Sequence, residues 1–307
     1  MSNLAQRAAL ASVTVALLLG LLKAWAAYRT GSVAVLASLA DSVLDLLASL
    51  VTLGGVHWAA QPADKEHRFG HGKAEALAAL FQVVVISISA FAILVRAIEQ
   101  FIAGTSTEAP EFGIGVSLIA IAVTLGLTRY QAMVARQTGS IAISTDRIHY
   151  SSDLFLNVAV IAALLIDSVA GIRGADALFG VAIAFWLFFG AWKASEAALD
   201  QLMDREWPDD KRRRLVELAA SHPQLKGLHD LRTRTSGSSD FAQFHIWLNP
   251  AMTVAEAHDI VDALETRLAS EFPGTEFIIH VDPEGQIDTD NPLTEADETA
   301  TLKEDPQ

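Results

Sequence analysis

Cysteine is absent from the 307-residue sequence. Disulfides and thiolate metal sites are therefore excluded, so any metal ligand must come from histidine, aspartate or glutamate. A basic excess is also missing, because 36 acidic side chains outnumber 22 basic ones and the formal net charge is −14. This balance does not favour nucleic-acid binding. Neither a nucleotide-binding loop nor the nucleophile–base constellation of an enzyme stands out.

Apolar residues are abundant and make up 51% of the chain. They form six long stretches, most of which could cross a hydrocarbon core of about 30 Å at about 1.5 Å per residue. The stretches cover residues 8–28, 33–59, 74–102, 112–128, 149–172 and 175–198. We therefore predict an α-helical membrane domain over residues 1–203, with six transmembrane helices. The fourth stretch is the shortest, and its helix is expected to continue towards Arg136.

The short connections between these stretches predict the orientation of the chain. Lysine and arginine concentrate at the N-terminus and in the second and fourth connections, where Arg147 is the last of them. The first and fifth connections hold one basic residue each, Arg29 and Arg173, and the third holds none. Because basic residues in short loops stay on the cytoplasmic side, both termini are predicted to face the cytoplasm.

Residues 204–283 have the pattern of a small soluble α+β domain in the order α-β-β-α-β. Pro208 is placed to begin its first helix, and Thr253 with Glu256 forms a capping box that begins its second. The strands are predicted over residues 225–235, 240–248 and 275–282. They would form a small open sheet with the helices on one face. About eighty residues bury only a modest core, so we expect this domain to be stabilised by contact with the same domain of a second copy.

The last segment, residues 284–307, is acidic and lacks apolar periodicity. It holds eight acidic residues and one lysine, which is half of the net charge of the chain. Such a composition predicts a disordered tail.

Two pairs of ionisable residues lie in predicted membrane helices. Asp41 and Asp45 are four residues apart in the second stretch, and His149 and Asp153 have the same spacing in the fifth, so each pair shares a helix face. An intramembrane Asp costs about 2.5–3.5 kcal/mol on insertion scales and is functional by default. Together they offer a tetrahedral shell for Zn²⁺ of three carboxylates and one imidazole. The alternative is that the four residues only cap or hydrogen-bond neighbouring helices.

A second candidate metal site lies in the connection between the second and third stretches. Asp64, His67 and His71 supply a carboxylate and two imidazoles within eight residues. Gly70 and Gly72 would let the backbone fold around an ion. Short polar loops that contain histidine are common, so a solvated loop is an equal alternative.

The soluble domain holds a third candidate site. On the second strand, His245 lies opposite the apolar face that its neighbours form, and His280 and Asp282 share a face of the last strand. His229 lies on the first strand and His258 on the second helix. The alternation along the strands places these residues on shared faces, which favours a metal site made by all five over the alternative that they are unrelated surface residues.

These motifs, in this order on six apolar stretches, resemble the cation diffusion facilitator family, in particular its bacterial zinc and ferrous-iron efflux branch. The resemblance covers residues 5–283. The motifs are the Asp-x-x-x-Asp of the second stretch, Gln61-Pro-Ala-Asp, Phe69-Gly-His-Gly-Lys-Ala-Glu75, His149-x-x-x-Asp153, Gly227-Leu-His-Asp-Leu-Arg-Thr-Arg234 and Ile279-His-Val-Asp282.

The resemblance implies a homodimeric metal/proton antiporter, not an enzyme, in the bacterial inner membrane. Its metal sites would be a transport site (Asp41, Asp45, His149 and Asp153), a loop site (Asp64, His67 and His71) and a cytoplasmic two-metal cluster (His229, His245, His258, His280 and Asp282, the last shared between the ions). Zn²⁺ is the expected metal, both as cargo and as a regulatory or structural ion in the cytoplasmic cluster, with Cd²⁺ and Fe²⁺ as other candidate cargoes. The expected partners are a second copy, divalent metal ions, protons and the lipid bilayer. A metal channel and a membrane-bound metal sensor are the alternative functions.

Overall fold

The computed structural model describes residues 2–30, 33–103, 111–170, 175–286 and 298. It divides into two compact units, residues 1–199 and 200–307. The helices of the first unit are α1 (Ser2–Thr30), α2 (Val33–Ala59), α3 (Ala74–Ala103), α4 (Glu111–Thr138), α5 (Ile141–Ala170) and α6 (Ala175–Leu202), the last of which ends just inside the second unit. Most of the predicted acidic tail, the third connection from residue 104 to 110, and Arg173 lie outside the described residues.

Five helices among the described residues are long and apolar enough to cross a membrane. They are Asn3–Arg29, Leu39–Ala59, Ala74–Ala103, Leu118–Thr138 and Ala177–Leu202. The predicted α-helical membrane domain is confirmed in this form. The predicted continuation of the fourth helix towards Arg136 is also confirmed, since α4 ends at Thr138. A sixth span in α5 stays a prediction.

The start of the fifth helix was predicted wrongly. The apolar run begins at His149, but α5 begins at Ile141. Asp146 and Arg147 therefore lie inside the helix, whereas Arg147 had been counted in the fourth connection. The helix extends upstream because hydrogen bonds between backbone groups, rather than hydrophobicity, decide where a helix begins.

Small residues bring the helices of the first unit close together. A Cβ added to Gly55 of α2 would lie 2.4 Å from the Cβ of Ala78 in α3, so only glycine fits there. Ala8 and Ala9 of α1 are fully buried in a cluster with residues of α2 to α5. Large apolar side chains such as Phe91 point outwards instead. This is the pattern of helices that pack tightly within lipid.

The second unit has the predicted order α-β-β-α-β. Its elements are α7 (Asp209–Ala220), β1 (Gly227–Ser236), β2 (Ser239–Leu248), α8 (Val254–Glu271) and β3 (Thr275–Pro283). β2 is the central strand, antiparallel to β1 and parallel to β3. The capping box of Thr253 and Glu256 is confirmed at the start of α8.

The alternation predicted for β2 is also confirmed. Four of its apolar side chains are buried against both helices, namely Ala242, Phe244, Ile246 and Leu248. His245 lies on the other face, where it is only partly buried. The apolar face of β2 therefore stabilises the domain by packing against the helices, and the opposite face, which holds His245, is open to bind a ligand.

Candidate metal centres

The first centre joins α2 and α5. Nε2 of His149 lies 2.9 Å from Oδ1 of Asp45. Ligand atoms of Asp45, His149 and Asp153 all lie within 4.8 Å of one another. His149 is 3% exposed, and its Nδ1 is buried without a hydrogen-bond partner among the described residues. One imidazole and two carboxylates thus converge in the apolar bundle, a donor set that suits Zn²⁺ and its neighbours.

Asp41 lies outside this group. It is one turn before Asp45 on α2, and its side chain is exposed. The spacing predicted a shared face, but a shared face does not ensure that two side chains reach the same point on another helix.

The second centre is the connection between α2 and α3. Oδ1 of Asp64 accepts hydrogen bonds from the backbone N–H groups of Glu66 and His67, at 2.9 and 2.6 Å. Its Oδ2 lies 3.4 Å from Nε2 of His71, and its Oδ1 lies 3.3 Å from Nδ1 of His67. The hydrogen bond from the backbone of His67 holds the pKa of Asp64 below its usual value. The carboxylate is therefore charged at neutral pH, as a metal ligand must be.

The backbone turns sharply within this loop. Gly70 has a φ of +76°, in the left-handed region where a residue without a Cβ is unstrained. The turn brings the rings of His67 and His71 to 4.6 Å between centroids. The three residues predicted for this site are thus brought together, with His71 buried and the other two exposed.

The third centre lies on the open face of the sheet and draws on all three strands. Oδ2 of Asp282 lies 2.9 Å from Nδ1 of His245 and 3.3 Å from Nε2 of His229. His280 lies at the edge of this group, with Nε2 at 3.3 Å from Oδ1 of Asp282 and a side chain that is 63% exposed. Two nitrogens and one oxygen converge in this group, which fits a Zn²⁺-type ion.

His258 is the predicted residue that the structure does not bring to this centre. It lies on α8, its side chain is 69% exposed, and it lies 3.6 Å from Asp262 of the same helix.

A further carboxylate near the third centre was missed by the sequence analysis. Asp230 has a φ of +48°, and the pairing of β1 with β2 shifts between His229 and Arg232. This bulge leaves Oδ2 of Asp230 3.8 Å from Nε2 of His245, with the Arg232 guanidinium bound to both of its oxygens. In a regular strand neighbouring residues point to opposite faces, so the sequence pattern placed Asp230 on the face opposite to His229. Only a sequence feature that predicts a bulge could have placed it near the third centre.

Two family models match this chain over almost its whole length. The model for the cation efflux transmembrane domain matches residues 9–203, and the model for the cytoplasmic domain of cation efflux proteins matches residues 207–284. The chain belongs to the cation diffusion facilitator family. As a member of this family, it is a multi-pass membrane protein that transports cations out of the cell, and the predicted family is confirmed.

Relatives of this family member include two proteins named cation-efflux pump FieF. The one from Cronobacter sakazakii is 43% identical over 281 residues, which is 92% of this chain and 93% of that protein. The one from Pectobacterium atrosepticum is 43% identical over 282 residues, 92% of this chain and 94% of that protein.

Solved structures also match about a quarter of the chain. The zinc form of CzrB is 35% identical and covers 28% of this chain and 98% of that one, with a TM-score of 0.26. The metal-bound C-terminal domain of the CzcD transporter from Thermotoga maritima is 22% identical and covers 26% of this chain and 93% of that one, with a TM-score of 0.25.

Proposed function

We propose that this transporter exports divalent metal ions, Zn²⁺ first among Zn²⁺, Cd²⁺ and Fe²⁺, in exchange for protons. It would act as a homodimer with six spans and cytoplasmic termini in a bacterial inner membrane. The observation that carries the proposal is the group of Asp45, His149 and Asp153 inside the apolar bundle. Intramembrane ionisable groups are costly, and here they converge on one point instead of being spread among separate contacts.

The proposed exchange follows from the chemistry of this group. A carboxylate or an imidazole must be deprotonated to bind a metal, so protons and metal compete for the same atoms. Facing the cytoplasm, Asp45, His149 and Asp153 would take the ion, and facing the other side, protons would displace it. Asp41 stays the predicted fourth ligand, because it lies one turn from Asp45 on the same helix.

The cytoplasmic cluster is proposed to bind metal without transporting it. His229, His245 and Asp282 lie on a sheet that has its own hydrophobic core. Metal bound there would either report the cytoplasmic metal level or stabilise a dimer of this domain. The loop group of Asp64, His67 and His71 is proposed as a third binding site.

The test is metal-dependent proton flux in liposomes that contain the full-length protein. With a metal dye inside and a pH dye outside, Zn²⁺ uptake should be accompanied by opposite proton movement. Asp45→Ala and Asp153→Ala should abolish both fluxes in protein that is still folded and dimeric. Asp259→Ala, the same change at an exposed residue of α8, is the matched control.

Two outcomes would contradict the proposal. Wild-type flux in Asp153→Ala would show that this group is not the transport site. Metal flux that is indifferent to an imposed pH gradient would indicate a channel rather than an exchanger.

A further inference from the structure

A fully buried carboxylate lies at the centre of the first unit, apart from the three metal centres. Asp146 of α5 is 0% exposed. Its Oδ1 accepts a hydrogen bond from Nε2 of Gln82 at 2.9 Å, and its Oδ2 accepts one from Nε2 of Gln131 at 2.7 Å. Both of these donors are neutral amides. Burying a carboxylate is costly unless it is well bonded, so its place in the bundle needs an explanation.

The two glutamines extend this contact to further helices. Nε2 of Gln82, on α3, also lies 2.9 Å from Oγ1 of Thr52 on α2. Nε2 of Gln131, on α4, also lies 2.9 Å from Oγ of Ser12 on α1. Asp146 thus connects α5 directly to α3 and α4, and through the glutamines to α2 and α1.

Both glutamine side chains donate to Asp146 although this leaves their own amide oxygens without a hydrogen bond. Oε1 of Gln82 and Oε1 of Gln131 are buried without a hydrogen-bond partner in the described part of the chain. An orphaned buried acceptor is unfavourable. The bonds to Asp146 therefore decide the orientation of both amides.

The network lies next to the transport centre. Asp146 is one helical turn before His149. Tyr150, the next residue, makes a hydroxyl contact of 2.7 Å with Oγ of Ser49, which lies one turn after Asp45 on α2. Its hydroxyl also donates to the backbone oxygen of Ser12 at 3.1 Å. The helices that carry the metal ligands are therefore the ones that these polar contacts hold together.

We propose that Asp146 is a positioning residue, whose hydrogen bonds with Gln82 and Gln131 hold α2 and α5 at the spacing at which Asp45, His149 and Asp153 meet around a metal ion. The inference rests on the proposed function of that centre. Asp146 acts through hydrogen bonds, and it neither touches the metal nor carries a transported proton.

Two substitutions separate hydrogen bonding from charge. Asp146→Ala removes both acceptors. Asp146→Asn removes the charge but keeps the network, because its oxygen still accepts from Gln82 and its amide can donate to Gln131. For this the Gln131 amide has only to rotate, and the rotation breaks no hydrogen bond to its Oε1, because that oxygen has no partner among the described residues. The Ser12 hydroxyl, which now accepts from Gln131 and donates to the backbone oxygen of Ala8 at 3.1 Å, would then donate to Gln131 instead.

The experiment measures Zn²⁺ flux against Zn²⁺ concentration for full-length variants in liposomes, normalised to folded dimer. Asp146→Ala should raise the half-saturating Zn²⁺ concentration about 10- to 100-fold, the usual effect of losing a group that orients metal ligands. Asp146→Asn should stay within about threefold of wild type, because the orienting bonds survive. Gln131→Met breaks one link with the carboxylate intact, so it should shift the half-saturating concentration in the same direction as Asp146→Ala.

The outcomes are distinct. If Asp146→Asn is as impaired as Asp146→Ala, the charge or a proton on Asp146 is what matters, and the proposal is overturned. If Asp146→Ala only lowers the yield of folded dimer and half-saturation is unchanged, the role is purely structural, and the proposal is again overturned. Should Asp146→Ala not fold at all, Gln131→Met with an unchanged half-saturating concentration overturns it. Asp153→Ala runs alongside, and flux in that variant would instead refute the proposed transport site.

Discussion

His149 is the one nitrogen donor among the three residues of the proposed transport centre, where it lies between two carboxylates. Its Nε2 faces Asp45 across the helix pair, and Asp153 lies one turn further along its own helix. Imidazole favours Zn²⁺ and its neighbours, whereas a shell of carboxylates suits harder ions such as Mn²⁺. The choice of metal should therefore depend on this one side chain.

His149→Asp should abolish discrimination against Mn²⁺ while measurable flux remains. The variant keeps a ligand at the same helix position and removes the nitrogen that a harder ion does not need. The measurement is competitive uptake of Zn²⁺ and Mn²⁺ into everted vesicles. His57→Asp, the same change at an exposed residue of α2, is the control. An active His149→Asp variant with unchanged selectivity would mean that surrounding packing sets the choice of metal.

At the scale of elements, a bulge in β1 brings a further carboxylate beside the candidate cytoplasmic centre. Asp230 takes up the left-handed conformation there, which asparagine and aspartate tolerate better than other residues with a side chain. The bulge carries its carboxylate to the side of His245 and ends the register that His229 shares with β2. The backbone conformation of this one residue therefore helps to shape the face on which the histidines meet.

Asp230→Val should destabilise the fragment 207–286 by about 1–3 kcal/mol, because a β-branched residue is strained at positive φ. Asp230→Asn should stay within about 1 kcal/mol of wild type, since asparagine tolerates this conformation and the Arg232 partner of the ion pair is largely exposed to solvent. Urea unfolding of the three fragments checks both values. Equal stability of the two variants would show that the backbone conformation at Asp230 carries no cost.

Elements with a clear period could be predicted, and contacts between elements could not. The alternation along β2 placed His245 correctly because a strand has only two faces. The helices of the first unit were found from apolar length, but polar residues broke the run before His149 and hid the first turns of α5. For that reason Asp146 escaped notice. The meeting of His149 with Asp45, and the position of Asp41 outside their group, depend on how α2 and α5 pack, and spacing along one helix does not encode this packing.

The whole molecule consists of two units that each have their own core, with two candidate metal centres in the first unit and one in the second. Residues 200–307 form a unit whose helices and sheet pack around their own apolar cluster. The membrane unit is held by small residues and by buried hydrogen bonds such as those of Asp146. Among the described residues, each of the three candidate groups consists of side chains from one unit. Loss of a group in one unit should therefore leave metal binding in the other unit intact.

This independence predicts a double dissociation in the full-length protein. Asp153→Ala should abolish Zn²⁺ flux but keep the metal bound by the cytoplasmic domain, since His229, His245 and Asp282 are unchanged. Asp282→Ala should lower the metal bound per chain, because this carboxylate lies within 3.3 Å of both His229 and His245. It should still leave measurable flux, because the intramembrane ligands remain. Equilibrium dialysis gives the bound metal and liposome uptake gives the flux.

His258→Ala serves as a comparison, since its exposed side chain lies apart from the group. An unchanged number of bound metal ions per chain in this variant would show that His258 is not a ligand of the cluster. Complete loss of flux in Asp282→Ala would refute the independence of the two units and make the cytoplasmic metal an obligatory part of transport.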